Sequence, residues 1–398
     1  MFRNQNFLLT CLVMAAGDVC FGWSDHHVLT TKSLQGSVSS TDKVNYDTLE
    51  SFLEKWDASC NAQESSMRDG TCHDPQLTEW HNELKKNDVD LSFIPTTSER
   101  LGRALRIKVR TPLFQNKLEE SVGKSLPTLQ ILSIYSDEPD WGMDQELFDE
   151  YPELWTDDLA FMGGKVGLAS QAFRHMYWPE WTGKLPVVSL HLPLSRFRES
   201  MGFADQRYRV FKTLSKIAHH VGSPYWGLRF QAFAFHYYQD VLTPFHSVQV
   251  PDWAWMTWPL VMRSRSAGLK GFVSDMTSIV SFWHLLFEDH VRFQVKSAEH
   301  DSALVRSRLA CLLESFEEKS CFSQDEGVHD KQFSPVRSAA LFSRTEAFAI
   351  SKNLQKAFQM PEGKFSSWIY NEGPNPPQVR DREAARQLGE SVDYLLSF

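Results

Sequence analysis

Apolar residues recur at helical intervals along much of the chain. In residues 196–221, Phe211, Leu214, Ile217 and Ala218 fall on one helical face, and after a break at Gly222, Ser223 and Pro224 the pattern resumes over residues 225–241. Residues 276–298, 303–320 and 384–398 predict further helices. Nearer the start, 44–53 and 101–109 read as helices separated by a polar stretch at 59–74. Strand-like alternation is confined to short pieces at 129–134 and 185–192. With no internal repeat and no long linker, the pattern predicts an all-α fold, a single multi-helix domain.

The first residues follow a different logic. Arg3 precedes an 11-residue, largely apolar stretch at 7–17, and Cys20-Phe21-Gly22 sets small residues where a signal peptidase would cut. A bilayer span needs about 20 apolar residues, so residues 1–22 are expected to be a cleaved export signal and residues 23–398 the mature domain. No later run of 18 apolar residues is uninterrupted; the richest, 225–238, is broken by Arg229, Gln231 and His236. The expected product is secreted or periplasmic and monomeric, with no transmembrane segment after cleavage. Cysteine usage agrees with an oxidising compartment. Outside the signal, Cys60, Cys72, Cys311 and Cys321 form two locally spaced pairs, and Cys60–Cys72 with Cys311–Cys321 is the most local of three possible connectivities.

Charge narrows the partners. The chain carries 41 Lys and Arg against 50 Asp and Glu, a formal net charge of -9, which argues against a stable nucleic-acid partner held by phosphate contacts. Three bound divalent cations would bring that charge to about -3. A phosphate-handling site built on metal ions is therefore still open.

The segment AFHYYQDVLTPFHS carries the most chemistry. His236 and Asp240 are four apart in a helical stretch, hence on one face and able to grip one ion. Pro244 stops that helix, so His246 can return from the following turn. FWHLLFEDH repeats the device with His284 and Glu288. Among 14 His and 50 acidic residues about two such pairs are expected by chance, so the spacing persuades only as part of a larger set.

That larger set resembles the zinc-dependent phospholipase C superfamily, which also contains the single-strand-specific zinc nucleases. The matching order is Trp23 in FGWSDHH, a nearby His, Asp140 in DEPDWGMD, His175 in RHMYWPEW, then His236, Asp240, His246, His284 and Glu288. The resemblance runs from Trp23 to at least Glu288 and looks closest to the larger proteobacterial phospholipases. It implies three zinc ions at the bottom of a cleft between helices. One zinc would be held by Asp140, His175, His236 and Asp240, and a second by His246, His284 and Glu288. The third would take Asp240 as a bridge, an N-terminal His, and the amino nitrogen and carbonyl oxygen of Trp23, which requires cleavage directly before that residue. The N-terminal His is His26 or His27: Leu29 and Leu34 follow His26 as they follow the family's ligand, whereas the distance from Trp23 favours His27. Asp137 is an alternative to Asp140, which matches the family better because it follows Pro139.

The resemblance further implies hydrolysis of the phosphodiester of phospholipids such as phosphatidylcholine, giving diacylglycerol and a phosphorylated head group, with Asp140 orienting or deprotonating the attacking water. Spacings of 35 residues from Asp140 to His175 and 38 from His246 to His284 exceed those of compact family members. The insertions hold indole-rich stretches, Trp178 with Trp181 and Trp253, Trp255 and Trp258, which are candidates for contact with a phospholipid membrane surface. A single-strand nuclease or 3′-nucleotidase would use the same metal site, with aromatic loops as base-stacking platforms. A secreted, non-enzymatic metal-binding protein is a third reading.

Overall fold

The computed structural model describes residues 26–39, 41–61, 74–86, 123–141, 174–179, 202–248, 334–358 and 379–397, together with 283, 284, 286–288, 290, 291 and 312. Along the chain the named elements are α1 (His26–Leu34), β1 (Lys43–Asn45), α2 (Leu49–Asn61), α3 (Pro75–Lys86), β2 (Ser125–Pro127), α4 (Thr128–Tyr135), a 3-10 turn (Glu138–Trp141), α5 (Ala204–His220), α6 (Pro224–Asp240), α7 (Pro244–Ser247), α8 (Pro335–Ala357) and α9 (Arg382–Ser397). The described residues are mostly helical, and their only sheet is the antiparallel pair β1–β2, in which Val44 faces Leu126.

Helix α6 is the axis of the fold. Every residue from Tyr225 to Asp240 is buried, as a helix apolar on nearly all faces must be. Helices α5, α4, α1 and α8 and the 3-10 turn surround it. Aromatic rings fill the contacts: Phe211 of α5 meets Phe233 edge-on at 5.0 Å, and Phe52 of α2 meets Phe230 edge-on at 5.8 Å. The hairpin between α5 and α6 needs a sharp reversal. Gly222 supplies it with φ +77°, while its N–H donates to His219 O and that of Ser223 to Ala218 O, satisfying the last carbonyls of α5. Pro224 then opens α6, where its missing N–H costs nothing.

Two local expectations are overturned. Residues 44–53 are not one helix: Val44 pairs in β1, and the helix begins at Leu49 because the Thr48 hydroxyl caps it by accepting from the Ser51 N–H at 3.1 Å. Residues 129–134 are not a strand but lie in α4, where Ile131, Leu132 and Tyr135 are buried. The alternation there is a helical pattern read too short. Helices α1, α3 and α8 follow no periodic segment singled out above. The pieces at 101–109 and 185–192 lie outside the described residues, as does nearly all of 303–320.

Cys60, buried at the end of α2, is disulfide-bonded; Cys72, Cys311 and Cys321 lie outside the described residues. Among the described residues no helix is long and apolar enough to cross a membrane.

Candidate metal centre

The C-terminal end of α6 projects His236 and Asp240 from one face, and both are fully buried. Beyond Asp240 the chain turns through hydrogen bonds from the Leu242 N–H to Gln239 O and the Thr243 N–H to Asp240 O, and Pro244 opens α7. That short helix returns His246, whose Nδ1 lies 3.5 Å from Asp240 Oδ1. The Ser247 hydroxyl, bonded to Val241 O, and that of Ser343 in α8, donating to Leu242 O at 2.9 Å, fasten the turn.

His175 arrives on a segment clamped by backbone contacts. The Tyr177 N–H donates to His246 O at 3.0 Å and the Ala204 N–H to Met176 O at 3.1 Å. Gly202, at φ +94°, lets the chain pass where a Cβ would come within 2.1 Å of Met176 O. Asp140 sits in the 3-10 turn, which is anchored to α6 by a buried ion pair. Arg229 donates from Nε to Glu138 Oε2 at 3.0 Å and from Nη2 to Oε1 at 2.7 Å, with its guanidinium 4.1 Å above the Tyr135 ring. His26 stands at the start of α1. His284 and Glu288, four apart, lie in described residues that are helical and buried.

Asp240 is the hub. Its Oδ2 lies 2.7 Å from His175 Nδ1 and 3.2 Å from His236 Nε2, while its Oδ1 lies 3.4 Å from His26 Nε2 and 3.5 Å from His246 Nδ1. One carboxylate thus faces four imidazoles. Asp140 Oδ1 closes on His236 Nε2 at 3.7 Å and His175 Nδ1 at 3.8 Å, and its Oδ2 on His26 Nε2 at 3.7 Å. Alongside, His284 Nε2 is 2.9 Å from His246 Nε2 and 2.7 Å from Glu288 Oε1.

Three buried clusters that could hold metal ions result: His26, His236 and Asp240; Asp140, His175 and His236; and His246, His284 and Glu288, with the ligand atoms of each within 4.8 Å of one another. A tetrahedral zinc with bonds of about 2.0–2.1 Å separates its ligand atoms by about 3.3 Å. The observed 2.7–3.8 Å contacts bracket that spacing.

Burial and crowding set the protonation states. Burial holds His236 down at about 3 and lowers His175, so both rings are neutral near pH 7, the form that ligates a metal. Burial disfavours the Asp240 carboxylate, but His236 and His175, by charge and hydrogen bonds, hold it well below the usual range. Glu288 is likewise disfavoured by burial and drawn to about 2 by His284 and His246. Asp140 moves the other way: burial raises it, His26 offsets part of that, and the charges of Asp240, Asp137 and Glu288 add to the rise. For His26, burial loses to the hydrogen bond and charge of Asp240, helped by Asp140 and Asp137, and the ring is pushed up to about 9. The ionised carboxylates of Asp240 and Glu288, buried in the same centre as the neutral imidazoles of His175 and His236, make an oxygen- and nitrogen-rich donor set suited to divalent cations.

Of the two N-terminal histidines, only His26 reaches the clusters. His27 is half-exposed and turns to Asp137, its Nδ1 2.7 Å from Asp137 Oδ2 and its backbone N–H donating to Oδ1 at 2.9 Å. Asp137 is thereby spent on α1, and Asp140 is the carboxylate inside. Trp178 is partly buried against Met176, while Trp23, Trp181, Trp253, Trp255 and Trp258 lie outside the described residues. The motif reading missed Gln239, whose amide hydrogen-bonds His26, and Glu138, the partner of Arg229. An arginine inside an apolar helix signals a buried carboxylate somewhere, but periodicity does not say which one.

Comparison with known proteins adds no relative: no family model matches the chain, and no curated protein or solved structure matches it either.

Proposed function

We propose that the protein is an exported metal-dependent phosphodiesterase, a zinc phospholipase C acting on phospholipids such as phosphatidylcholine. The observation that carries the catalytic part is the convergence of four imidazoles on the buried carboxylate of Asp240, with Asp140 and Glu288 beside it. The lipid substrate is supported by the sequence resemblance and its indole-rich insertions. On this reading His246, His284 and Glu288 hold one ion, and Asp140, His175, His236 and Asp240 a second. A third would be held by His26 and Asp240, together with the amino terminus of Trp23.

Divalent cations bound here supply Lewis acidity, making water more acidic and offsetting the charge that develops on a phosphoryl group in transit. The protein's own groups do the rest. Asp140, on the turn that the Glu138–Arg229 pair anchors to α6, is the base that orients the water and receives its proton. Asp240 keeps its charge and holds the imidazoles around it, while burial excludes bulk water from the clusters.

The test sets phosphatidylcholine vesicles beside single-stranded DNA, using zinc-loaded protein beginning at Trp23. Phosphocholine release that a strong chelator abolishes is the expected result, and Asp240→Asn and His236→Ala, with helical content retained, should lose it by at least about 100-fold. Preferential release of nucleotides would move the protein to the nuclease branch. Inertness of the metal-loaded chain on both substrates would leave a metal-binding protein without this activity.

A further inference from the structure

Gln239 is fully buried one residue before the hub carboxylate, where its side chain belongs to none of the three clusters. Its Oε1 lies 2.8 Å from His26 Nδ1, and its Nε2 donates to Thr30 Oγ1 at 2.8 Å. Thr30 Oγ1 donates in turn to Ser136 Oγ at 3.2 Å, and the Ser136 hydroxyl donates to Ser133 O at 2.7 Å. The direction of this chain is fixed at its far end, because a carbonyl oxygen can only accept. Ser136 must donate to it, so Ser136 Oγ accepts from Thr30. The single proton of Thr30 is then used, and Thr30 Oγ1 must accept from the amide. The NH2 end of Gln239 therefore faces Thr30 and its carbonyl end faces His26, whose Nδ1 must carry a proton. The same residue settles a second ring: Ser136 O lies 2.7 Å from His236 Nδ1, which must also be the protonated nitrogen.

We infer that Gln239 is a positioning residue for the metal centre: with Ser136 as the origin of the hydrogen-bond chain, it holds His26 in the Nδ1–H tautomer so that Nε2 is presented to a metal ion. The inference rests on the metal reading above. Its logic is that of the partners that orient ligating imidazoles generally, whose loss costs about 10–100-fold in metal affinity. Ser136 thereby sets two imidazoles, His236 through its own carbonyl and His26 through the relay.

The experiment measures zinc affinity of the protein beginning at Trp23 by competition with a chromophoric chelator, together with 15N NMR of the histidine rings. Gln239→Leu, close in volume but without an acceptor, should weaken one zinc by about 10–100-fold. Gln239→Glu keeps an acceptor beside His26 but loses the amide that donates to Thr30, and should weaken that zinc by less than Gln239→Leu does. In the native protein and in Gln239→Glu, His26 should ligate through Nε2 and keep its Nδ1 proton. Ser136→Ala breaks the relay two links earlier and leaves the His236 carbonyl partner in place; it should weaken the same zinc by a smaller factor, and it decides the matter if Gln239→Leu does not fold. Native-like affinity in Gln239→Leu, equal losses in the Leu and Glu variants, or ligation of His26 through Nδ1 would overturn the inference while leaving the metal centre standing. A native chain that binds no zinc would overturn both.

Discussion

Asp240 has two oxygens and four imidazoles facing them, so its charge state governs the centre. The pH dependence of the metal-free protein follows from the residues around it. His236 and His175 have folded pKa values below 6.5, so the unfolded chain binds more protons as pH falls below 6.5, and stability drops toward pH 3. Asp140, raised in the folded state, opposes part of this. Glu288 and Asp240 add to the acid loss below their ordinary carboxylate values. His26 runs in the opposite sense: its stabilisation is full below 6.5 and is lost as pH rises through about 9. Each unmatched proton is worth about 1.4 kcal/mol per pH unit. The metal-free protein should therefore melt highest near pH 6.5 and lower on both sides. A melting temperature that climbs steadily from pH 6.5 to 9 would contradict the assignment of His26.

At the scale of elements, α6 joins the hydrophobic core to the chemistry. Its apolar residues pack against α5, α4 and α8, and its polar residues each meet a specific group: Arg229 pairs with Glu138, Gln231 accepts from Lys212, and Gln239 serves His26. Breaking one half of a buried pair leaves the other charge stranded, at a cost of about 3–5 kcal/mol. Arg229→Met should lower the unfolding free energy by that amount in a denaturant titration. The double change Arg229→Met with Glu138→Leu should recover most of it, because neither charge is then left behind. If the double variant is as unstable as the single one, the loss does not come from a stranded Glu138 charge. What was legible in the sequence at this scale was the long-period pattern of α5 and α6 and the i, i+4 spacing of His236 with Asp240 and His284 with Glu288, both local properties of a helix. The relay through Gln239 and the choice of His26 over His27 depend on which surfaces meet across about a hundred residues or more of chain, and the clamp of Gly202 on Met176 on a contact between segments that no helical repeat relates. Short apolar runs mislead for a related reason: residues 129–134 carry both β-branched side chains and a helical repeat, and burial against α6 decides between them.

Across the whole molecule, residues from α1, the 3-10 turn, the His175 segment, α6, α7 and the helical residues 284 and 288 converge on one buried centre. Bound ions would therefore cross-link elements far apart in sequence, and zinc at about 1,000 times its dissociation constant should raise stability by about 4 kcal/mol per site. The proposed third site adds a condition at the N-terminus. A chain that keeps even one residue before Trp23 should bind one zinc fewer and lose most of its activity, since its amino nitrogen is displaced; unchanged zinc content would remove Trp23 from the centre. Zinc titrated into metal-free protein beginning at Trp23, with bound metal and phosphocholine release recorded together, shows whether the buried centre carries the activity. Activity should be absent without metal, appear only as the buried sites fill, and fail to appear in Asp240→Asn at any zinc level. Hydrolysis by the metal-free chain, or native activity in Asp240→Asn, would contradict the account.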